Sequence, residues 1–282
     1  MSVRAYQGKL APTAGQTRRL AELLAAQREL YNAALEERRG VWRWERRSVS
    51  RFEQFRTLTG WDHPVLRFGV NPARGTLTRL DRAFQAFYRR ARAGQRPGFP
   101  RFKGERRFDS IEYPDPSCWR LEGNRLYLRG VGSIRFRTSK RGIRGTPKTL
   151  TVRREGRRWR FTAFCVNVPE QRLEPTGRLI GIDLGVSELV AASDGELVTN
   201  PRWMRTAQER LAAAQRLLAG RRPGSNRRAK TAAQVAAVHR RLAHQRRDHH
   251  HQLSRRLVDA YDVIAHEQLK IANLAASTSR AW

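Results

Sequence analysis

The sequence is poor in cysteine, in acidic residues and in long apolar runs. Cys118 and Cys165 are its two cysteines. With no C-x-x-C pair, neither a disulfide framework nor a cysteine-based zinc site can be argued, and both read as packing residues. No run of roughly 18 apolar residues and no strongly amphipathic anchor occurs, which removes the membrane reading. The opening "MSVRAYQGKLAPTAGQ" lacks the apolar centre of a secretory signal, so a cytosolic protein is expected. Asp and Glu number 25 against 57 Lys and Arg, a formal net charge of +32. Such a surplus implies a polyanionic partner. The basic residues are mostly Arg, whose planar donor fork suits phosphates and stacks on bases, so nucleic acid is expected before a membrane surface. At 282 residues the chain has room for two or three compact units.

Along the chain the texture changes twice. "LAPTAGQTRRLAELLAAQRELYNAALEERR" opens with Thr13 and Gln16 at capping-box spacing, and Leu20, Leu23, Leu24, Tyr31, Ala34 and Leu35 then recur on one helical face. A second helix is expected after Pro72, with Leu77, Leu80, Phe84 and Phe87 inward and Gly94 as a stop signal. Arg79, Arg82, Arg89, Arg90 and Arg92 form either a solvated face or a nucleic-acid contact. From Pro97, "RPGFPRFKGERRFDSIEYPDPSCWRLEG" breaks helix. "RLYLRGVGSIRFR" and "TLTVRREGRRWRFTAFCVNVP" then alternate in period two, the second with a hairpin turn expected at Glu155 and Gly156. These strands point to a small barrel or sandwich. Trp119, Tyr127, Phe136 and Trp159 lie among arginines, as core residues or as base-stacking rings.

After a linker-like "PEQRLEPTGR", the stretch "RLIGIDLGVSELVAASDGELV" reads as a meander. A buried strand ends near Asp183, Gly185 allows a tight turn, and Asp194-Gly195 is a two-residue hairpin turn. A basic helical hairpin follows from Met204 to about Tyr261, broken at "GRRPGSNRR". Then "DVIAHEQLKIANL" suggests a further buried strand, through Val263, Ile264 and Leu269, with Glu267 at its end.

Asp183 and Glu267 each end an apolar strand. Two such strands side by side would bring the acids together, and adjacent anions repel unless a cation lies between them. Hard oxygen ligands favour Mg2+ or Mn2+, which in paired-metal phosphodiester hydrolysis activate water and stabilise the leaving oxygen. The competing reading is that Asp183 bonds the amides of its own turn and Glu267 pairs with an arginine. An actin-like nucleotide site is disfavoured, because Val186 stands where Thr or Ser is expected after "GIDLG".

At these residues the sequence resembles the TnpB family, insertion-sequence relatives of type V CRISPR nucleases. "RLIGIDLGVSELVAASDGELV" resembles the first RuvC motif, and "LVDAYDVIAHEQLKIANLA" the second, with Glu267 at the family's catalytic glutamate. "KLAPTAGQTRRLAELLAAQRELYNAALEERR", "LTRLDRAFQAFYRRARAGQRPGFPRFKGERR" and "HQLSRRLVDAYD" follow the family pattern in the same order.

The resemblance implies an α+β multidomain protein. Its parts are a helical recognition lobe (12–95) inserted in a small wedge-like β-barrel (1–11 and 96–172), then an RNase H-like (RuvC) α/β domain with a helical hairpin insertion (173–282). It implies RNA-guided DNA cleavage with Mg2+ or Mn2+, Asp183 and Glu267 being the catalytic and metal-binding acids, and guide RNA and target DNA as partners. Nucleic-acid contacts are expected from Arg79, Arg82, Arg89, Arg90, Arg101, Lys103, Arg106, Arg107, Arg141, Arg144 and Lys148.

The family also carries, beyond the glutamate motif, a zinc ribbon and a third catalytic Asp that these 282 residues do not contain. The nuclease domain is therefore expected to be incomplete here, with no zinc site and with stronger binding than cutting. Asp194, Asp259 and Asp262 are candidate substitutes, each with a simpler turn or helix-end role. Of His249, His250 and His251, His251 matches a family position and reads as a packing or phosphate contact rather than a ligand. Two further classes stay open: a nuclease-inactive RNA-guided DNA-binding protein or repressor, and a general basic RNA-binding protein.

Overall fold

The computed structural model describes residues 2–58, 60, 63–139, 142–170 and 172–268, apart from the Arg106 side chain. It divides into two compact units, residues 1–170 and 171–282.

The first unit begins with β1 (Ser2–Ala11) and α1 (Ala14–Glu45). Thr13 caps α1 reciprocally with Gln16, whose side-chain amide also donates to Ser133 O at 2.9 Å and so fixes the helix start to a strand. A second box follows at α2 (Arg51–Leu58): Ser50 N donates to Glu53 Oε2 at 2.7 Å and Glu53 N to Ser50 Oγ at 3.2 Å. α3 (Val70–Arg92) starts two residues before Pro72, inside the first turn where a missing N–H costs nothing.

Strands β2 (Ser110–Tyr113), β3 (Trp119–Glu122), β4 (Arg125–Leu128), β5 (Gly132–Arg137), β6 (Thr146–Glu155) and β7 (Arg158–Val168) join β1 in one sheet of order β2-β6-β7-β1-β5-β4-β3. Its two edges, β2 and β3, are neighbours in sequence. Laid flat, seven strands would set them about 29 Å apart, at about 4.8 Å per step. The chain from Tyr113 to Trp119 spans at most about 21 Å. The sheet therefore curls into a nearly closed, barrel-like wall.

The helices and this sheet share one core. Leu20, Leu23, Leu30, Leu77 and Leu80 lie in the same buried cluster as Ile111, Tyr113, Leu126, Leu128 and Phe161. The helices between β1 and β2 thus belong to the same compact unit as the barrel. The β6–β7 turn is Gly156-Arg157, one residue later than expected, since Glu155 pairs with Arg158 and Gly156 supplies φ 65°.

The second unit contains β8 (Leu179–Asp183), β9 (Glu188–Ala192), β10 (Leu197–Thr199), α4 (Trp203–Ala219), α5 (Asn226–Ala260) and β11 (Val263–His266). The sheet order is β10-β9-β8-β11, with β8 antiparallel to β9 and parallel to β11. Ala192 N donates to Glu196 O at 2.9 Å, so the β9–β10 loop has three residues, 193–195, rather than two, with Gly195 at φ 88°.

The expectation of two fully buried strands is corrected. Ile180 is buried, but Leu179 and Val263, which pair across the strands, are 77% and 59% exposed. An apolar run reads alike whether one face or both are covered. Leu269 lies outside the described residues.

Candidate functional site

Asp183 is the last residue of β8, a strand flanked on both sides. β11 runs parallel to it in the register Val263↔Leu179, Ile264↔Ile180, Ala265↔Gly181 and His266↔Ile182. One further step of that register sets Glu267 beside Asp183, on strands spaced about 4.8 Å apart. Residues at one register position of parallel neighbours leave the sheet on the same face. Both acids are exposed. Gly185 lets the loop after β8 fold close, since a Cβ there would meet Glu188 O at 2.8 Å.

No other described carboxylate joins them. The Asp262 carboxylate accepts from the amides of Thr176 and Gly177 at 3.0 and 2.7 Å, bonds that hold its pKa below the usual value. Asp194 accepts from the Tyr261 hydroxyl at 2.7 Å and from Glu196 N at 3.1 Å, and the tyrosine bond is the main cause of its lowered pKa. Asp259 pairs with Arg255 one helical turn earlier. All three acids are occupied in turns or at a helix end. Among the described residues no group of three His, Cys, Asp or Glu side chains could hold a metal ion. The donor set at the strand ends is two hard carboxylates, which suits a divalent cation of the Mg2+ class that draws its remaining ligands from water and substrate.

The basic residues divide by what they touch. Arg79 donates from Nε and Nη2 to Glu112 Oε1 at 3.1 and 2.9 Å, donates to Ser110 Oγ, and lies 4.7 Å over the Phe108 ring. Arg82 reaches the other Glu112 oxygen at 3.2 Å. Arg90 reaches Gly98 O at 3.5 Å, and Lys103 Nζ sits 5.6 Å from the Tyr31 ring centroid. Arg89, Arg101, Arg107, Arg144 and Lys148 are exposed. Arg141 and the Arg106 side chain lie outside the described residues. Trp119, Phe136 and Trp159 are core residues, while half-buried Tyr127 carries Arg120 at 4.5 Å.

In the helical hairpin, His249 packs edge-on against Trp203 at 5.2 Å, and His250 and His251 are exposed. Sequence reasoning missed a further set. Trp42 and Trp44 are exposed at the end of α1, and Arg39 lies 5.2 Å over Phe102 in a groove that exposed Phe99 also lines. The alternation "VWRWERR" and the proline-flanked "PGFPRF" are the signals that carried it.

A family profile described as "Probable transposase", of the IS605 OrfB group, matches residues 163–278. A companion profile described as "Helix-turn-helix domain" matches residues 1–47, which here form β1 and one uninterrupted helix. A Streptomyces pristinaespiralis protein named "Putative RNA-guided DNA endonuclease" is 32% identical over 96% of this chain and 68% of its own length. InsQ of Escherichia coli K12, similarly named, is 28% identical over 74% of this chain and 50% of its own. Among solved structures, a Cas12f1–sgRNA–target DNA complex overlaps 89% of this chain and 64% of its own at 12% identity and TM-score 0.47. A CRISPR-Cas12f ternary complex overlaps at TM-score 0.40, with 62% of its chain covered. The chain therefore spans half to two thirds of the length of these proteins.

Proposed function

The chain belongs to the TnpB family, the OrfB proteins of IS605-type insertion sequences, and from that premise we propose that it acts in RNA-guided DNA cleavage, with Asp183 and Glu267 as the metal-binding acids of an RNase H-like nuclease unit. The observation that carries the reading is the parallel register of β8 and β11, which brings two acids, 84 residues apart in sequence, to neighbouring strand ends. Asp183 and Glu267 would hold a divalent cation and orient it toward a phosphodiester, their exposure leaving the open side for the nucleic-acid backbone. When bound, such a cation supplies an activated water and charge stabilisation at the leaving oxygen. The first unit would grip guide RNA and the RNA–DNA heteroduplex, with base pairing choosing the sequence and protein contacts to the backbone supplying affinity. The formal charge of +32 fits that division of labour.

Cleavage of a guide-matched plasmid in Mg2+ by the chain copurified with its RNA tests the reading. Asp183→Ala must abolish cutting while leaving target binding intact; cutting that survives the change removes Asp183 from the site. A second reading, RNA-guided DNA binding without cleavage, is favoured by one observation: no third carboxylate stands with the pair among the described residues. Guide-dependent gel shifts of target DNA without any cut product would select it. A general RNA-binding protein instead predicts a heterogeneous copurifying RNA population.

A further inference from the structure

Between α3 and β2 the chain crosses residues 96–104 without helix or strand, yet it is held down along its length. Asn32 on α1 clamps the far end, donating to Lys103 O at 3.1 Å and accepting from Lys103 N at 2.8 Å. Phe99 is wedged edge-on against Phe84 and Phe87, at 5.5 and 5.3 Å between centroids. Phe102 carries the Arg39 guanidinium at 5.2 Å. Pro97 and Pro100 fix two backbone φ angles in the same short span.

Fixed in this way, Phe99 and Phe102 remain 46% and 44% exposed. They line a groove of about 550 Å³ together with Arg39, Arg96 and Arg101, and no carboxylate lines it. Glu36, the nearest acidic partner of Arg39, sits 3.9 Å from it on the same helix. Packing leaves nearly half of each residue open among guanidinium groups. Rings and guanidinium groups together match what an unpaired nucleotide needs: a π-face for each base and a cation for each phosphate. Because the rings are already immobilised, little side-chain entropy is lost on binding.

We propose that the groove formed by Arg39 and the 96–102 segment is a stacking subsite for unpaired bases of single-stranded nucleic acid, with Phe99 and Phe102 as the platforms and Arg96 and Arg101 on the backbone. The proposal rests on the nucleic-acid reading given above but not on the nuclease assignment. A duplex, whose bases are already stacked, has no use for the rings, and this gives the test its contrast.

Fluorescence anisotropy with a 12-nucleotide single-stranded RNA and a 12-base-pair duplex, at one fixed salt concentration, measures the effect on the whole chain. Phe102→Leu weakens single-stranded binding about ten-fold, as expected for loss of one base-stacking ring, and changes duplex binding less than about two-fold. Phe102→Trp retains single-stranded binding, because it keeps a stacking face. Phe99→Leu behaves like Phe102→Leu if its thermal melt matches the parent; should it fail to fold, the Phe102 pair decides alone. Equal losses on both ligands, or no loss with Phe102→Leu, overturn the proposal. Plasmid cleavage and its loss in Asp183→Ala are read separately, so the subsite can fail while the nuclease reading stands, and the reverse.

Discussion

Gly75 and Gly40 are both glycines inside helices, and they should respond to alanine with opposite signs. On α3, the residues facing Glu112 are Gly75, Arg79 and Arg82, at i, i+4 and i+7. The two arginines bind the Glu112 carboxylate, while Gly75 lets the helix backbone come close to the β2 backbone. A Cβ on residue 75 would stand 2.3 Å from Glu112 O and 3.1 Å from its carbonyl carbon. Ordinary contact begins near 3.4 Å, so helix and strand must part by about 1.1 Å (3.4 minus 2.3). Thr76 and Leu77, buried to within 2% on the same turn, would lift with it. A gap of about 1 Å forfeits a quarter to a half of each dispersion contact, and overpacking of this kind costs about 1–3 kcal/mol. Alanine's better helix propensity returns only about 1 kcal/mol. Gly75→Ala should therefore destabilise the first unit by up to about 2 kcal/mol and lower its melting temperature by up to about 8 °C. Gly40 in α1 has no atom within 4 Å of its would-be Cβ. Gly40→Ala should raise stability by about 0.5–1 kcal/mol. Thermal melts of the two variants beside the parent decide the matter. A Gly75→Ala protein as stable as Gly40→Ala would refute the close-approach argument.

Arg79→Met, which strips Glu112 of its two-nitrogen partner, should cost about 1–2 kcal/mol in urea denaturation and leave RNA affinity within about two-fold; a selective loss of RNA affinity would return Arg79 to the nucleic-acid contacts. Glu53, bonded by the Ser50 amide and hydroxyl and by Arg47, has its pKa lowered from 4.5 to about 2. A depressed carboxylate stabilises above its unfolded value and loses that contribution as pH falls through the folded one, so the N-terminus of α2 should loosen between about pH 4.5 and 2. A carboxyl NMR titration of Glu53 with its midpoint near 4.5 instead would contradict the second capping box.

Much of this architecture was legible in the sequence because it repeats at short range. The Thr13–Gln16 box, the apolar stripe from Leu20 to Leu35 and the alternation in β6 and β7 are local patterns, and each lies where periodicity put it. The Ser50–Glu53 box is harder to read because α2 is only eight residues long, too short for its apolar positions to repeat. The partner of Arg79, Glu112, is 33 residues away on another element, which no local spacing reveals. Trp119 and Trp159 stand among arginines, which leaves core and base-stacking roles both open in the sequence; alternation along a strand sends ring and charge to opposite faces, and the rings go inward. For the acids, each strand end could be read from its own apolar run, whereas the pairing of β8 with β11 is a long-range fact that the sequence supports only through resemblance.

The most direct measurement is cleavage of a guide-matched plasmid in Mg2+ by the RNA-copurified chain, run beside Asp183→Ala and Glu267→Gln, with target binding followed by gel shift in the same samples. The account predicts cutting by the parent and binding without cutting by both variants. Cutting that persists in either variant, or a parent that binds its target and never cuts it, would contradict the claim that this pair of acids performs the chemistry.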